Sequence, residues 1–356
     1  MESARTTQAA SPSQALRRCT QALALLLAAV GLAGCGDASS VGPTTSTGQA
    51  DAPSAATAND AQRTLTDAAG EQVTLPARPA RVLPLSDQTL DATLALGITP
   101  IATAAGPEGS GIPAYLAPRS AEMKRVGRPG TPDLAAIKQL APDVILLDST
   151  SVPDRAVLMR LRQIAPTVAV SKPGGDWRAT FEQTAAALGR ETDGADVLAA
   201  YDQRVNETKL ALRGRTEQTV SVLRWTGKGP VAVSTERSLP GRVLADLGLP
   251  HVQPSATSGT AQSRRVSLTD LEQIDADWIF FGALPDGDPS GTSPTAVGVE
   301  AAVQAIAAAR NRPAFRRLAA FGTRQVVPVD GSAWAGAGGP IAANVIVADI
   351  ARNMGA

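Results

Sequence analysis

The residue with the most defined chemistry in this chain is Cys35, which closes the run Leu32-Ala33-Gly34-Cys35 directly after an apolar stretch. Small residues ending in cysteine at such a place form a lipobox: the thiol takes up diacylglycerol, and the amine freed by cleavage can be acylated in turn. Upstream, Arg17 and Arg18 supply a positive n-region. Ala22 to Leu32 form an uncharged apolar segment of 11 residues, too short to span a bilayer and right for a signal h-region. A signal peptide over residues 1–34 is therefore expected, with a mature chain held outside the cytoplasm on the cell membrane by the two or more acyl chains that stable anchoring needs.

The other informative residues are the aromatics, because they make up only 3% of the chain. Trp177, Trp225 and Trp334 each fall within a few residues of a predicted strand end, and Tyr115 lies in a Pro-rich loop after another. Ligands of open parallel sheets bind outside the carboxyl ends of the strands, so these four are candidate ligand-binding residues. Each fits a core cap equally well. Trp278 lies inside a predicted strand and reads as core.

Several chemistries are excluded. Cys19 leaves with the signal and Cys35 is lipidated, so the folded part has no thiol for a disulfide, a nucleophile or a metal. His251 is the sole histidine, whereas a zinc or manganese receptor would typically need three; it follows Gly248-Leu249-Pro250 at a helix end and reads as a cap or surface residue. There is no Gly-x-Ser-x-Gly elbow, no Walker A loop and no Rossmann glycine fingerprint, so an enzyme is not expected, and neither is a cofactor. Gly336 to Gly339 opens the last helix and reads as backbone packing. The full chain carries 33 basic and 33 acidic residues, and removal of residues 1–34 leaves 30 and 32. A mature net charge of about minus two gives no grip on nucleic acid.

The elements that must position these residues follow from periodicity. Residues 36–61 hold no Leu, Ile, Phe, Tyr or Trp and read as a solvated tether with an end-to-end distance of roughly 28 Å. Beyond it, short β-branched runs alternate with helical patterns, as a parallel sheet covered by helices requires. Strands are predicted at Arg81 to Ser86, Ile98 to Thr103, Asp143 to Asp148, Thr167 to Ser171, Thr219 to Arg224, Trp278 to Gly282 and Gln325 to Val329. Gly194 to Arg213 is an uninterrupted helical pattern between the halves. Leu134, Ile137, Leu140 and Asp143 leading into Val144-Ile145-Leu146-Leu147 are echoed by Leu268, Leu271, Ile274 and Asp277 leading into Trp278-Ile279-Phe280-Phe281, an offset of 134 residues. The fold class is therefore α/β, with two Rossmann-like lobes bridged by a single long α-helix. The organisation is a signal peptide (1–34), a tether (35–61), an N-terminal lobe (62–192), a linking helix (193–213) and a C-terminal lobe (214–356).

The order of motifs resembles the substrate-binding proteins of ABC importers for ferric siderophores, haem and vitamin B12. It is carried by Val126-Gly127, Pro132-Asp133-Leu134, Ala141-Pro142-Asp143-Val144-Ile145, Ile164-Ala165-Pro166-Thr167 and Leu188-Gly189-Arg190-Glu191. Val266-Ser267-Leu268, Asp277-Trp278-Ile279-Phe280 and Val326-Val327-Pro328-Val329 with Trp334 complete it, over residues 78–353. The resemblance implies a monomeric receptor that captures a ferric siderophore or similar iron chelate between its lobes and delivers it to a permease. The chelate class stays open among catecholate, hydroxamate, citrate, haem and corrinoid. Since ferric siderophores commonly carry negative charge, Arg128 and Arg224 are the expected cleft cations. Lys172, Arg178, Arg264 and Arg265 read as solvated surface charges. Members that dock on the usual permease carry a Glu on each lobe, and here Ala135 and Thr269 occupy those places, with Asp133 and Asp270 close by. A non-transport envelope scaffold built on the same fold is the alternative.

Overall fold

The computed structural model describes residues 61–104, 106, 111–120, 122–151, 154–225, 231–253, 263–283 and 298–355. The expected signal peptide, Cys35 and nearly all of the tether lie outside the described residues.

The N-terminal lobe opens with an antiparallel hairpin that the sequence reading missed, β1 (Gln62–Thr66) and β2 (Gln72–Pro76). Asp67 closes its turn by accepting from the amides of Ala69 and Glu71. The chain continues through β3 (Val82–Pro84), α1 (Asp87–Ala95), α2 (Ala117–Ser120), the short pair β4 (Gly127–Arg128) and β5 (Thr131–Pro132), and α3 (Leu134–Leu140). Next come β6 (Val144–Leu147), α4 (Arg155–Ile164), β7 (Thr167–Ala169) and α5 (Trp177–Leu188). Strands β3, β6 and β7 form a parallel sheet with β6 in the centre. All four residues of β6 are buried, as a strand covered on both faces requires. The strand expected at Ile98 to Thr103 does not form. Pro100 lacks the N–H a ladder needs, and only Ile101, Thr103 and Ala104 make sheet-like bonds beside β3 and Arg125.

Helix α6 (Glu191–Ala211) is the linking helix, shifted by two residues from the expected 193–213. Glu191 and Asp193 in its first turn and Lys209 in its last suit the helix dipole. The C-terminal lobe comprises β8 (Val220–Trp225), β9 (Val231–Ser234), α7 (Leu239–Leu247), β10 (Ser263–Val266) and β11 (Trp278–Ala283). It ends with α8 (Gly298–Arg310), α9 (Pro313–Arg316), α10 (Ala319–Thr323), β12 (Val326–Asp330), α11 (Gly331–Trp334) and α12 (Pro340–Met354). The sheet order is β10-β9-β8-β11-β12; the last three strands are parallel, and the unforeseen β9 and β10 extend the sheet antiparallel.

The internal repeat survives at the level of single hydrogen bonds. Asp143 accepts from the amides of Ala80 and Arg81, just ahead of β3. Asp277 accepts from the amide and hydroxyl of Thr219, just ahead of β8. In each lobe the acid just ahead of a parallel strand pins the start of the neighbouring parallel strand. The two copies differ in the preceding segment, which is a helix in α3 and only a 3-10 turn at Leu271–Ile274.

The lobes are joined by more than α6. Trp177 packs edge-on against Tyr201 at 5.1 Å, within a core made largely of C-terminal residues. Arg178 lies over both rings and pairs with Asp202 at 2.6 Å and Asp246 at 3.2 Å, while Arg242 reaches Asp176 at 2.6 Å. The expectation that Arg178 is a solvated charge is thus corrected, because ring faces and two carboxylates from α6 and α7 surround it. Asp91 of α1 accepts from the amides of Ile341 and Ala342 at 2.9 and 3.0 Å and so caps α12. Gly339 leaves room for this: a Cβ there would lie 2.9 Å from the Asp91 carboxylate.

Candidate ligand cleft

The carboxyl ends of the parallel strands in both lobes lead toward the seam between them, and the residues just beyond those ends define the candidate site. From the N-terminal lobe come Asp87 after β3 and Asp148 after β6, and from the C-terminal lobe Ser332 after β12, with Trp225 and Asp330 as the last residues of β8 and β12. The amide of Ala114 donates to the Ser332 hydroxyl at 3.0 Å, which places the Tyr115 segment directly against the end of β12.

The three tryptophans are packed differently from the sequence expectation. Trp334 is fully buried, stacked on Phe280 at 4.5 Å, with its indole N–H donating to Asp349. Trp225 packs edge-on against Phe315 at 5.5 Å with Arg312 over its ring. Trp177 opens α5 and is consumed by the contact with Tyr201. Burial of large rings against other rings is strongly favourable, and it leaves none of the three as an open platform. All three belong to the hydrophobic cores. Trp278 is in the core, as expected, with its N–H on Gln218.

Arg128 is exposed and lies in β4, opposite Thr131 of β5. Arg224 is half-buried within β8. The two guanidinium groups therefore belong to different lobes, one on an exposed hairpin and one within the C-terminal sheet. Lys172 is exposed, as expected, and Arg264 and Arg265 lie in β10. His251 is neither a cap nor a surface residue: it bridges Val220 at the sheet, and both its ring nitrogens are buried without hydrogen-bond partners. Burial pushes its titration down to about 4. Among the described residues no group of His, Cys, Asp and Glu could hold a metal ion.

What the sequence reading missed is the set of carboxylates. Asp87 stands in the first turn of α1 and is partly exposed, accepting from the amide of Gly106. Burial of its carboxyl raises its titration to about 7; the Gly106 N–H opposes this, and the negative charges of Asp148 and Asp91 add to it. Asp148 is fully buried: Oδ1 takes the Thr150 amide at 2.9 Å, the Thr150 hydroxyl at 2.7 Å and the Ser151 amide at 3.0 Å, while Oδ2 takes nothing. Asp330 caps α11 through Ser332, and burial raises its titration too. The Tyr115 hydroxyl is buried beside Asp91 without closing a hydrogen bond of good geometry; burial, then the Asp91 and Asp87 charges, raise its titration. A strand-end Asp directly after an N-cap serine, as in Ser86-Asp87, was the available signal.

A seam lined by strand ends from two lobes and spanned by one helix is a binding architecture, and the sequence comparisons name it. The family model described as periplasmic binding protein matches residues 85–317. The chain belongs to the periplasmic binding protein family. The "Probable siderophore-binding lipoprotein YfiY" of Bacillus subtilis is 30% identical over 224 residues, 62% of this chain and 68% of that protein. The Fe(3+)-citrate-binding protein YfmC of the same organism is 29% identical over 215 residues, 60% of this chain and 66% of its own length. The crystal structure of Staphylococcus aureus SirA complexed with staphyloferrin B superposes with a TM-score of 0.65 over 82% of this chain and 98% of its own, at 20% identity, and so shares the fold. The resemblance drawn from the motif order is borne out.

Proposed function

We propose that this protein is the substrate-binding component of an ABC importer, capturing a ferric siderophore or similar iron chelate in the cleft between its lobes. The observation that carries this reading is the family match across both lobes, together with 30% identity to a protein named as a siderophore-binding lipoprotein. The reading is of a carrier, not an enzyme, and it is supported by the family match and by relatives named as binding proteins. Arg128, Arg224 and Tyr115 are the ligand-facing candidates that remain after the tryptophans move to the core, and Asp87 joins them.

The lipobox at Cys35 supports attachment to the outer face of the cell membrane, and no described helix is long and apolar enough to cross a bilayer. Replacing Cys35 by alanine is expected to release the protein or leave an uncleaved precursor. A processed Cys35→Ala form that still fractionates with membranes would contradict the lipid anchor. The protein is proposed to act as a monomer.

Permease docking has its own signature here. Ala135 and Thr269 are exposed where docking glutamates would stand, Asp133 is occupied in capping α3, and Asp270 is exposed beside Thr269. A permease partner of this chain would meet Asp133 and Asp270 in place of glutamates. The same two positions favour the scaffold reading, which loses if the purified protein binds a ferric chelate saturably.

A further inference from the structure

We propose that the outer face of the α3–α4 layer is a membrane-contact surface, which rests on the anionic phospholipid headgroups of the membrane that carries the Cys35 anchor. The inference rests on the lipid-anchor reading and concerns a face that the cleft does not use. Helices α3 and α4 cover one side of the N-terminal sheet, where Ile137 and Leu161 pack with Leu83, Ile145 and Leu147. Their opposite sides are exposed. On α4 that side carries Arg155, Met159 and Arg162 at i, i+4 and i+7, with Arg160 beside them, and on α3 it carries Lys138. Met159 is 55% exposed among these cations. An apolar side chain set among arginines on the outward face of an amphipathic helix is the composition that suits a headgroup layer.

The charge of this face is uncompensated. Among the described residues none of its four cations forms an ion pair, although the whole chain has as many acidic as basic residues. The acids of the layer are engaged as caps: Asp133 accepts from the amides of Ala135 and Ala136 at the start of α3, and Asp154 from Val157 at the start of α4. Glu71 lines a shallow groove with Arg162 and does not pair with it.

The entry point of the tether singles out a membrane among acidic partners. Ala61 accepts from the amide of Ala77 at 2.7 Å, and the chain runs on through the exposed Arg78 to Arg81, whose guanidinium donates to the carbonyls of Leu140 and Ala141 at the end of α3. Helix α4 ends at the same edge of the sheet, since Pro166, two residues beyond it, accepts from the amide of Ile145 at 2.9 Å. The tether therefore joins the lobe where both helices terminate, and its span of roughly 28 Å keeps that edge close to the headgroups. Anionic headgroups set up a negative potential that attracts arginine and lysine and decays within a screening length, so cations beside the anchored edge are the ones that feel it. The carboxyl ends of the strands, and the cleft with them, lie at the opposite edge and stay uncovered.

The test uses the full lipidated protein. Its folded part has no thiol, so Met159→Cys takes a single environment-sensitive fluorophore, and Val303→Cys on the exposed side of α8 provides a control position. Each labelled protein is bound to vesicles of phosphatidylcholine alone or mixed with phosphatidylglycerol. The expected result is a blue shift of the label at position 159 on the mixed vesicles only. That shift should be lost in 1 M NaCl, where the screening length is about 3 Å, and lost when Arg155→Gln, Arg160→Gln and Arg162→Gln are combined; the label at position 303 should not respond. With protein retained by both kinds of vesicle, no shift on the mixed ones, an equal shift on phosphatidylcholine alone, or an equal shift at position 303 would each overturn the contact and leave the anchor intact. A shift with polyglutamate in solution and none with vesicles would assign the face to an acidic protein and overturn it too. Protein retained by neither kind of vesicle would remove the anchor reading and the inference together.

Discussion

Asp87 and His251 are both buried against their charge, in opposite senses. The carboxyl of Asp87 titrates near 7 in the fold against an ordinary value of 3.8. The fold therefore holds the proton more tightly than the unfolded chain, and the associated stability, full below 3.8, is lost as pH rises through 7. Asp87→Asn, which keeps an acceptor for the Gly106 amide, should raise the melting temperature at pH 8 and give a smaller advantage at pH 5. A lower melting temperature at pH 8 would show that the carboxylate is stabilising after all. For His251 the sign reverses: with a folded value near 4 against 6.5, its contribution is complete above 6.5 and is lost as pH falls toward 4. His251→Leu should lose less stability than the unaltered protein between pH 7 and pH 5, measured by urea unfolding at each pH; a steeper loss would place the histidine's charge in favourable company. At this scale the sequence was least legible. Tryptophans near strand ends read as ligand platforms because distance along the chain says nothing about which way a ring turns, and cores made largely of C-terminal-lobe residues took all three. Asp87 went unremarked because an acid after an N-cap serine is also ordinary helix grammar.

The elements themselves were largely legible, since the buried strands β6 and β11 and the helices beside them carry strong periodicity. The hairpin β1–β2 and the strands β9 and β10 were missed because they are short, and antiparallel pairing needs no crossover helix to announce it. At this scale the decisive contact is Asp91 on the first amides of α12, a joint between residues 250 and 251 positions apart. Asp91→Ala removes the acceptor and leaves those amides buried. It should cost roughly 1.5 to 3 kcal/mol, the range for hydrogen bonds to a charged group, read as a lower urea midpoint with an unchanged slope. A stability equal to that of the unaltered protein would mean that α12 is held by its apolar face alone.

At the scale of the whole molecule, one continuous helix, the Arg178 and Arg242 ion pairs and the Asp91 cap all cross between the lobes. That arrangement resists the wide hinge closure seen where flexible strands join two domains. Small-angle scattering with and without a bound chelate should give nearly the same radius of gyration, and a change of several ångströms would contradict the rigid linkage. The two-lobe plan was legible because a repeated helix-to-strand unit and an unbroken helical segment between the copies leave few other arrangements. The ligand was not, since its recognition depends on strand ends that meet only in the fold. The most direct test of the central claim is therefore equilibrium binding: titration of the purified protein with ferric siderophores of several classes, followed by tryptophan fluorescence and calorimetry together. The account predicts saturable one-to-one binding of at least one ferric chelate, with quenching, because such a complex absorbs where indole emits. A folded protein that gives neither heat nor quenching with any ferric chelate at high micromolar concentration would contradict it.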